Sequence, residues 1–181
     1  MKLRSLRSRR TGSQRSPHGF EDANMKLTRI ASWILAVGFA AALVFMVGLP
    51  KFIGPSPNPI FALIAGRSGV HLFEPYLRYL TGAGELAAAL LLVIPRTRFF
   101  GALIAVGITV AAIAFHLSPF LGIAIPAMDQ LLPLLQQGKS VAEIDAMNLP
   151  TDGGGLFMMA LAFLAMAAAL LWLERPRPKA A

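Results

Sequence analysis

The chain has 181 residues, 56% of them hydrophobic and 14% charged, with a mean hydropathy of +0.62; soluble domains carry roughly 25% charged and 45–50% apolar residues, so the balance points to a membrane protein. The net charge of +8 does not indicate nucleic acid, because eight of the 17 basic residues precede residue 30, ahead of the first apolar run, where membrane topology accounts for them. The absence of cysteine excludes disulfides, C-x-x-C redox chemistry and thiolate metal sites within the chain.

Residues 1–24, "MKLRSLRSRRTGSQRSPHGFEDAN", are basic and polar and are expected to be a disordered leader. Met25 opens "MKLTRI", which reads as a second start, so the leader is either a start-site artefact or a polybasic arm on anionic lipid. A cleaved signal peptide does not fit, because the apolar run that follows exceeds an h-region of about 7–15 residues and no A-x-A site comes after it.

Four stretches are then long enough to cross a bilayer, which takes about 20 apolar residues at about 1.5 Å each. They cover about 30–50, 76–94, 99–117 and 155–173, and they are apolar all round rather than striped. Between the first two, Lys51 to about Pro75 is a Pro- and Gly-rich loop whose apolar piece "IFALIAG" is too short to span and is suited to an interfacial or re-entrant position. Between the third and fourth, "PAMDQLLPLLQQGKSVAEIDAMNLP" has apolar residues at helical spacing, consistent with an interfacial helix, a lid over the bundle or a plain connector. The predicted fold is an all-α, integral membrane four-helix bundle with a basic tail at 174–181.

Lysine and arginine set the orientation. The leader, the Arg96–Arg98 turn and the tail lie on one side, and Lys51, Arg67, Arg78 and Lys139 lie on the other with most of the acids. The positive-inside rule then places both termini in the cytoplasm and both long loops outside, with Trp33 and Trp172 in the inner aromatic belt.

Within this apolar frame a few polar residues stand out. Glu85 lies nine residues before Ile94 and so roughly 13–14 Å from the inner boundary. An acid at that depth must face the bundle and be protonated or paired, and intramembrane acids are commonly functional. His116 lies in the outer third of the third span, either as a site residue or as a histidine bonded to a neighbouring helix. Lys51 closes the first span, where a snorkelling anchor is the ordinary role. Asp152 precedes "GGGLF" and is placed to cap the fourth helix.

Lys51, Glu85, His116 and Asp152 thus come one from each span, all at or above the midplane on the outer side, a pattern suited to a quinone-like head group or to proton relay. Untilted helices would leave Glu85 roughly 12 Å below His116, so a single shared site is not required by the sequence. His18 and His71 have no partners in sequence that suggest ligands. No zinc spacing, P-loop or G-x-G-x-x-G motif after a strand is present, so no metal or nucleotide site is expected, and "VGITVAA" in the third span reads as helix packing.

"GLPKFIG", "GAGELAAALLLVIPRTRFFGALI", "AFHL" and "DGGGLF" together resemble the DoxX-like family of small four-span membrane proteins, over about Met25 to Leu173. Lys51, Glu85, His116 and Asp152 fall where the family pattern shows a G-x-x-K end, a buried Glu, a His near the end of span three and a D-G-G start. The resemblance implies a four-helix bundle in a bacterial cytoplasmic (inner) membrane, associated with thiosulfate:quinone oxidoreduction or other redox and oxidative-stress assemblies. The basic leader and the long second outer loop depart from the pattern. The expected function is an accessory or quinone-contacting subunit of a membrane oxidoreductase complex rather than a self-contained enzyme. Quinone is the one candidate cofactor, and the expected partners are the lipid bilayer, redox proteins and further copies of the chain. A small proton-linked carrier acting as an oligomer, with Glu85 as the coupling acid, and a non-catalytic membrane scaffold are the alternatives.

Overall fold

The computed structural model describes residues 17–176. Most of the basic leader (residues 1–16) and the end of the tail (residues 177–181) lie outside the described residues. The described residues are all-helical apart from turns, loops and one isolated antiparallel bridge between Pro126 and Thr151.

The first long element runs as helix α1 (Pro17–Ala42), a π-helical stretch (Leu43–Gly48) and a short α2 (Pro50–Ile53). It begins inside the segment expected to be leader, and its apolar part, Asn24–Ile53, is long enough to span a bilayer. Pro50 lies directly after the π-helical turns. It has no N–H to donate and its ring collides with the carbonyl four residues back in a straight α-helix, so the chain widens before it.

Helix α3 (Pro59–Ser68) follows, started by Asn58, whose side chain accepts from the N–H groups of Ile60 and Phe61, and stopped by the left-handed Gly69. A 3-10 turn (His71–Phe73) leads into α4 (Tyr76–Val93), and a tight turn joins this to α5 (Arg98–His116). Next come α6 (Met128–Gln136) and α7 (Val141–Ala146), the latter opened by a capping box between Ser140 and Glu143. Helix α8 (Gly155–Leu173) closes the chain. Four helices, namely the first long element, α4, α5 and α8, are long and apolar enough to cross a membrane.

These four form a ring: α1 packs on α4 and α8, α4 on α5, and α5 on α8. Their core is rich in alanine (Ala36, Ala40, Ala88, Ala89, Ala102, Ala105, Ala167), with Phe39 edge-on to Phe163 at 5.5 Å between ring centroids. Small residues let backbones approach where no hydrophobic force separates helix from lipid. At Gly101 an added Cβ would lie 2.8 Å from the Leu92 nitrogen, so the α4–α5 hairpin closes only on glycine.

A second core lies beyond the end of the bundle that carries Lys51 and His116. Leu63 and Ile64 of α3, Leu121 and Ile125 of the loop after α5, Leu131 and Leu135 of α6, and Ile144 of α7 bury one another. Arg67 fastens this cap by a two-pronged bond to Asp145 (2.7 and 3.0 Å) and by a bond to the Leu121 carbonyl (3.0 Å). The "IFALIAG" piece is therefore the cap's central helix, and the segment between α5 and α8 folds into α6 and α7, which pack on α3.

Candidate functional site

Glu85 is 6% exposed, as its position in an apolar helix requires, and its carboxylate is paired. The Lys51 ammonium lies 2.8 Å from one carboxylate oxygen and 2.7 Å from the other, and its third bond goes to the Val47 carbonyl at 3.1 Å. Lys51 is thus not the snorkelling anchor its position in sequence suggests. The widened turns before Pro50 and a close helix contact carry it inward. At Gly82 a Cβ would meet Phe52 at 2.7 Å, Lys51 Cβ at 3.1 Å and the Gly48 carbonyl at 3.3 Å, so this glycine lets α2 lie against α4.

The pair forms part of the wall of a cavity of about 740 Å³ between the bundle and the cap. Leu43, Val47 and Lys51 line it from the first span, Thr81 and Glu85 from α4, and Thr109 and His116 from α5. Phe163 lines it from α8, and Ile60, Phe61 and Ile64 of α3 form the roof. Leu80 and Ile104 also line it and are 68% and 37% exposed, too much for the inner wall of a closed chamber. The cavity therefore opens between α4 and α5 onto the apolar flank of the bundle. Phe73 and Phe115, edge-on at 5.3 Å, stand on its wall under the cap.

His116 is 5% exposed, and its Nδ1 lies 2.8 Å from the Gly122 carbonyl. A carbonyl only accepts, so Nδ1 carries the hydrogen, and in the neutral ring Nε2 keeps a lone pair. Its ring packs at a tilt against Phe157, 5.7 Å between centroids. Glu85 and His116 share one cavity without touching, as the depth difference between them predicts.

Asp152 stands apart from the cavity lining. Its carboxylate accepts from the N–H groups of Ile125 (3.0 Å), Gly154 (2.9 Å) and Leu156 (3.1 Å), reaching over the left-handed Gly154 to cap α8 and hold the loop. Burial pushes its carboxyl up, but these three donors and the nearby His116 outweigh burial and hold it below the ordinary aspartate value.

Sequence reasoning missed Thr81 and Thr109. Thr81 is one helical turn before Glu85 and Thr109 two turns before His116, and that spacing was the available signal. It also missed two arginine clusters. Arg78 is 3% exposed, bonds the Pro55 carbonyl (3.2 Å) and the Tyr79 hydroxyl (2.8 Å), and lies 3.3 Å from Glu74. Burial raises the Glu74 carboxyl above its ordinary value, against the lowering effects of the Asn58 N–H and Arg78. At the other end of the bundle Arg98, also 3% exposed, bonds the Leu92 carbonyl, Ser32 and Glu174, and its guanidinium lies 4.3 Å above the Trp33 ring. Ser32 in turn donates to Glu174. Among the described residues no three His, Asp or Glu side chains converge as a metal site would require.

No family model matches the chain, and no curated protein or solved structure is detectably similar to it.

Proposed function

We propose that this chain is a DoxX-like multi-pass protein of a bacterial cytoplasmic membrane that holds a quinone-class amphiphile as an accessory subunit of a membrane redox assembly. The observation that carries the reading is the cavity: about 740 Å³, apolar on most of its wall, with the Lys51–Glu85 pair set into it and an opening on an apolar flank of the bundle. Sites for small ligands enclose roughly 300–1,000 Å³ and combine an apolar lining with a few placed polar groups. A ligand dissolved in lipid would enter sideways between α4 and α5 without crossing water, its ring under Phe61 and Phe115 and its head at Glu85 or His116. The charge distribution supports both termini in the cytoplasm, which puts the cavity in the outer half of the bilayer with the cap outside.

The chain's own residues bind, orient and exclude water in this reading. The cap covers the chamber from the aqueous side, the Lys51–Glu85 pair fixes the polar end of the ligand, and electron transfer belongs to the ligand and to partner proteins. Photolabelling with an azido-quinone in lipid nanodiscs tests it. Cross-links should fall on Thr81, Ile108 and Thr109, and an unlabelled quinone should compete them away. Labels confined to outward positions such as Leu103 and Met158, without competition, would overturn the reading.

A further inference from the structure

Four of the five polar side chains on the cavity wall have one property in common: Lys51, Thr81, Thr109 and the Glu85 carboxylate have no hydrogen left to give. The Lys51 ammonium has three donors, and all three are taken, two by Glu85 and one by the Val47 carbonyl. Thr81 donates to the Leu77 carbonyl at 2.7 Å and Thr109 to the Ala105 carbonyl at 2.7 Å. His116 gives its Nδ1 hydrogen to Gly122. In the roof, the N–H groups of Ile60 and Phe61 go to the Asn58 side chain. What the wall still offers around the ion pair is acceptors: the remaining lone pairs of the Glu85 carboxylate and the threonine oxygens.

The geometry points to a ligand that donates hydrogen bonds, a neutral hydroxyl-bearing amphiphile of the phenol or hydroquinone class, bound in preference to the oxidised quinone. This rests on the reading of the cavity as a quinone-class site and narrows it to one redox form. An oxidised quinone has carbonyls alone, and buried against a carboxylate they would find no partner. A hydroquinone hydroxyl gains a bond to a charged acceptor instead. Lys51 cancels the charge of Glu85, so the pair carries no net charge to favour a cationic donor over a neutral one. Sites built to hydrogen-bond a hydroxyl reject analogues that lack it far more strongly than apolar pockets reject an extra methylene.

The test uses the full chain in lipid nanodiscs and two ligand pairs with the same decyl tail: a benzohydroquinone, kept reduced, against its benzoquinone, and an alkylphenol against its methyl ether. The double variant Lys51→Met/Glu85→Leu keeps the packing volume and gives the background of plain partitioning. The hydroquinone and the phenol should each bind roughly tenfold or more tightly than their partners, and the double variant should lose that preference. Quinone binding as tight as hydroquinone would overturn the inference and leave the quinone-class reading standing. Phenol bound over its ether with neither quinone form bound would uphold the donor rule and remove the quinone reading. No saturable binding of any of the four would remove both.

Discussion

Each partner of the Lys51–Glu85 pair is buried only because the other is there, with side chains 12% and 7% exposed. Removing one leaves an uncompensated charge, a loss of roughly 3–5 kcal/mol in comparable buried pairs, whereas removing both for apolar residues is often neutral. Lys51→Met should therefore destabilise the protein in detergent more than Lys51→Met/Glu85→Leu does, as a double-mutant cycle of unfolding would record. Asp152 gives a second expectation at this scale. Its folded value is depressed, so its contribution is fully present above the unfolded value of about 3.9 and is lost as pH falls through the folded value. The stability gap between wild type and Asp152→Asn should be constant at neutral pH and shrink only below about pH 4. Asp152→Ala should cost about 1–2 kcal/mol, the ordinary worth of a good cap. Glu85 was legible in the sequence because a charge in lipid has few explanations. Lys51 was singled out beside it, but their pairing was not legible, because the two lie 34 positions apart and the helix that turns Lys51 inward departs from regular geometry.

At the scale of elements, the site depends on helices that touch backbone to backbone. Gly82 lets the end of the first span lie against α4, and an added Cβ there meets Phe52 and Lys51 below normal contact distance. Gly82→Val should push α2 outward, part the pair and cost roughly 1–3 kcal/mol, with the preference for hydroxylated ligands lost alongside. The Arg98 cluster plays the matching part at the opposite end of the bundle, where one guanidinium joins the start of α5 to the end of α4, to Ser32 of α1 and to Glu174 after α8. Arg98→Lys retains the charge but not the fork, and it should lower the unfolding temperature measurably while leaving ligand binding unchanged. The helix boundaries were readable because charged or proline residues bracket each long apolar run, and α4, α5 and α8 start and end within a residue of expectation. The arginine clusters were not, because an interfacial arginine looks the same in sequence whether it faces lipid headgroups or the protein.

The whole molecule has two cores, an alanine-rich one between the spans and a branched-aliphatic one in the cap. The long segment between α5 and α8 folds into α6 and α7, which pack on α3, the roof of the cavity. Sequence spacing showed that this loop had helical pattern but not what it covers, since the contacts between α3 and α7 join residues about 75 positions apart. Because the chain has no cysteine, single substitutions report topology without background labelling. With both termini in the cytoplasm, Gln137→Cys at the end of α6 should react with an impermeant maleimide added to spheroplasts, and Pro176→Cys should react only after lysis. The reverse pattern would invert the orientation and move the cap to the inner face.

The central claim is that the Lys51–Glu85 ion pair belongs to a ligand-binding wall, and infrared difference spectroscopy of the protein in lipid tests it most directly. The account predicts an ionised Glu85 carboxylate band that shifts when a decyl benzohydroquinone is added and is missing from Glu85→Gln. A Glu85 band that stays fixed at saturating ligand would contradict it and leave the pair as a structural tie between the first two spans.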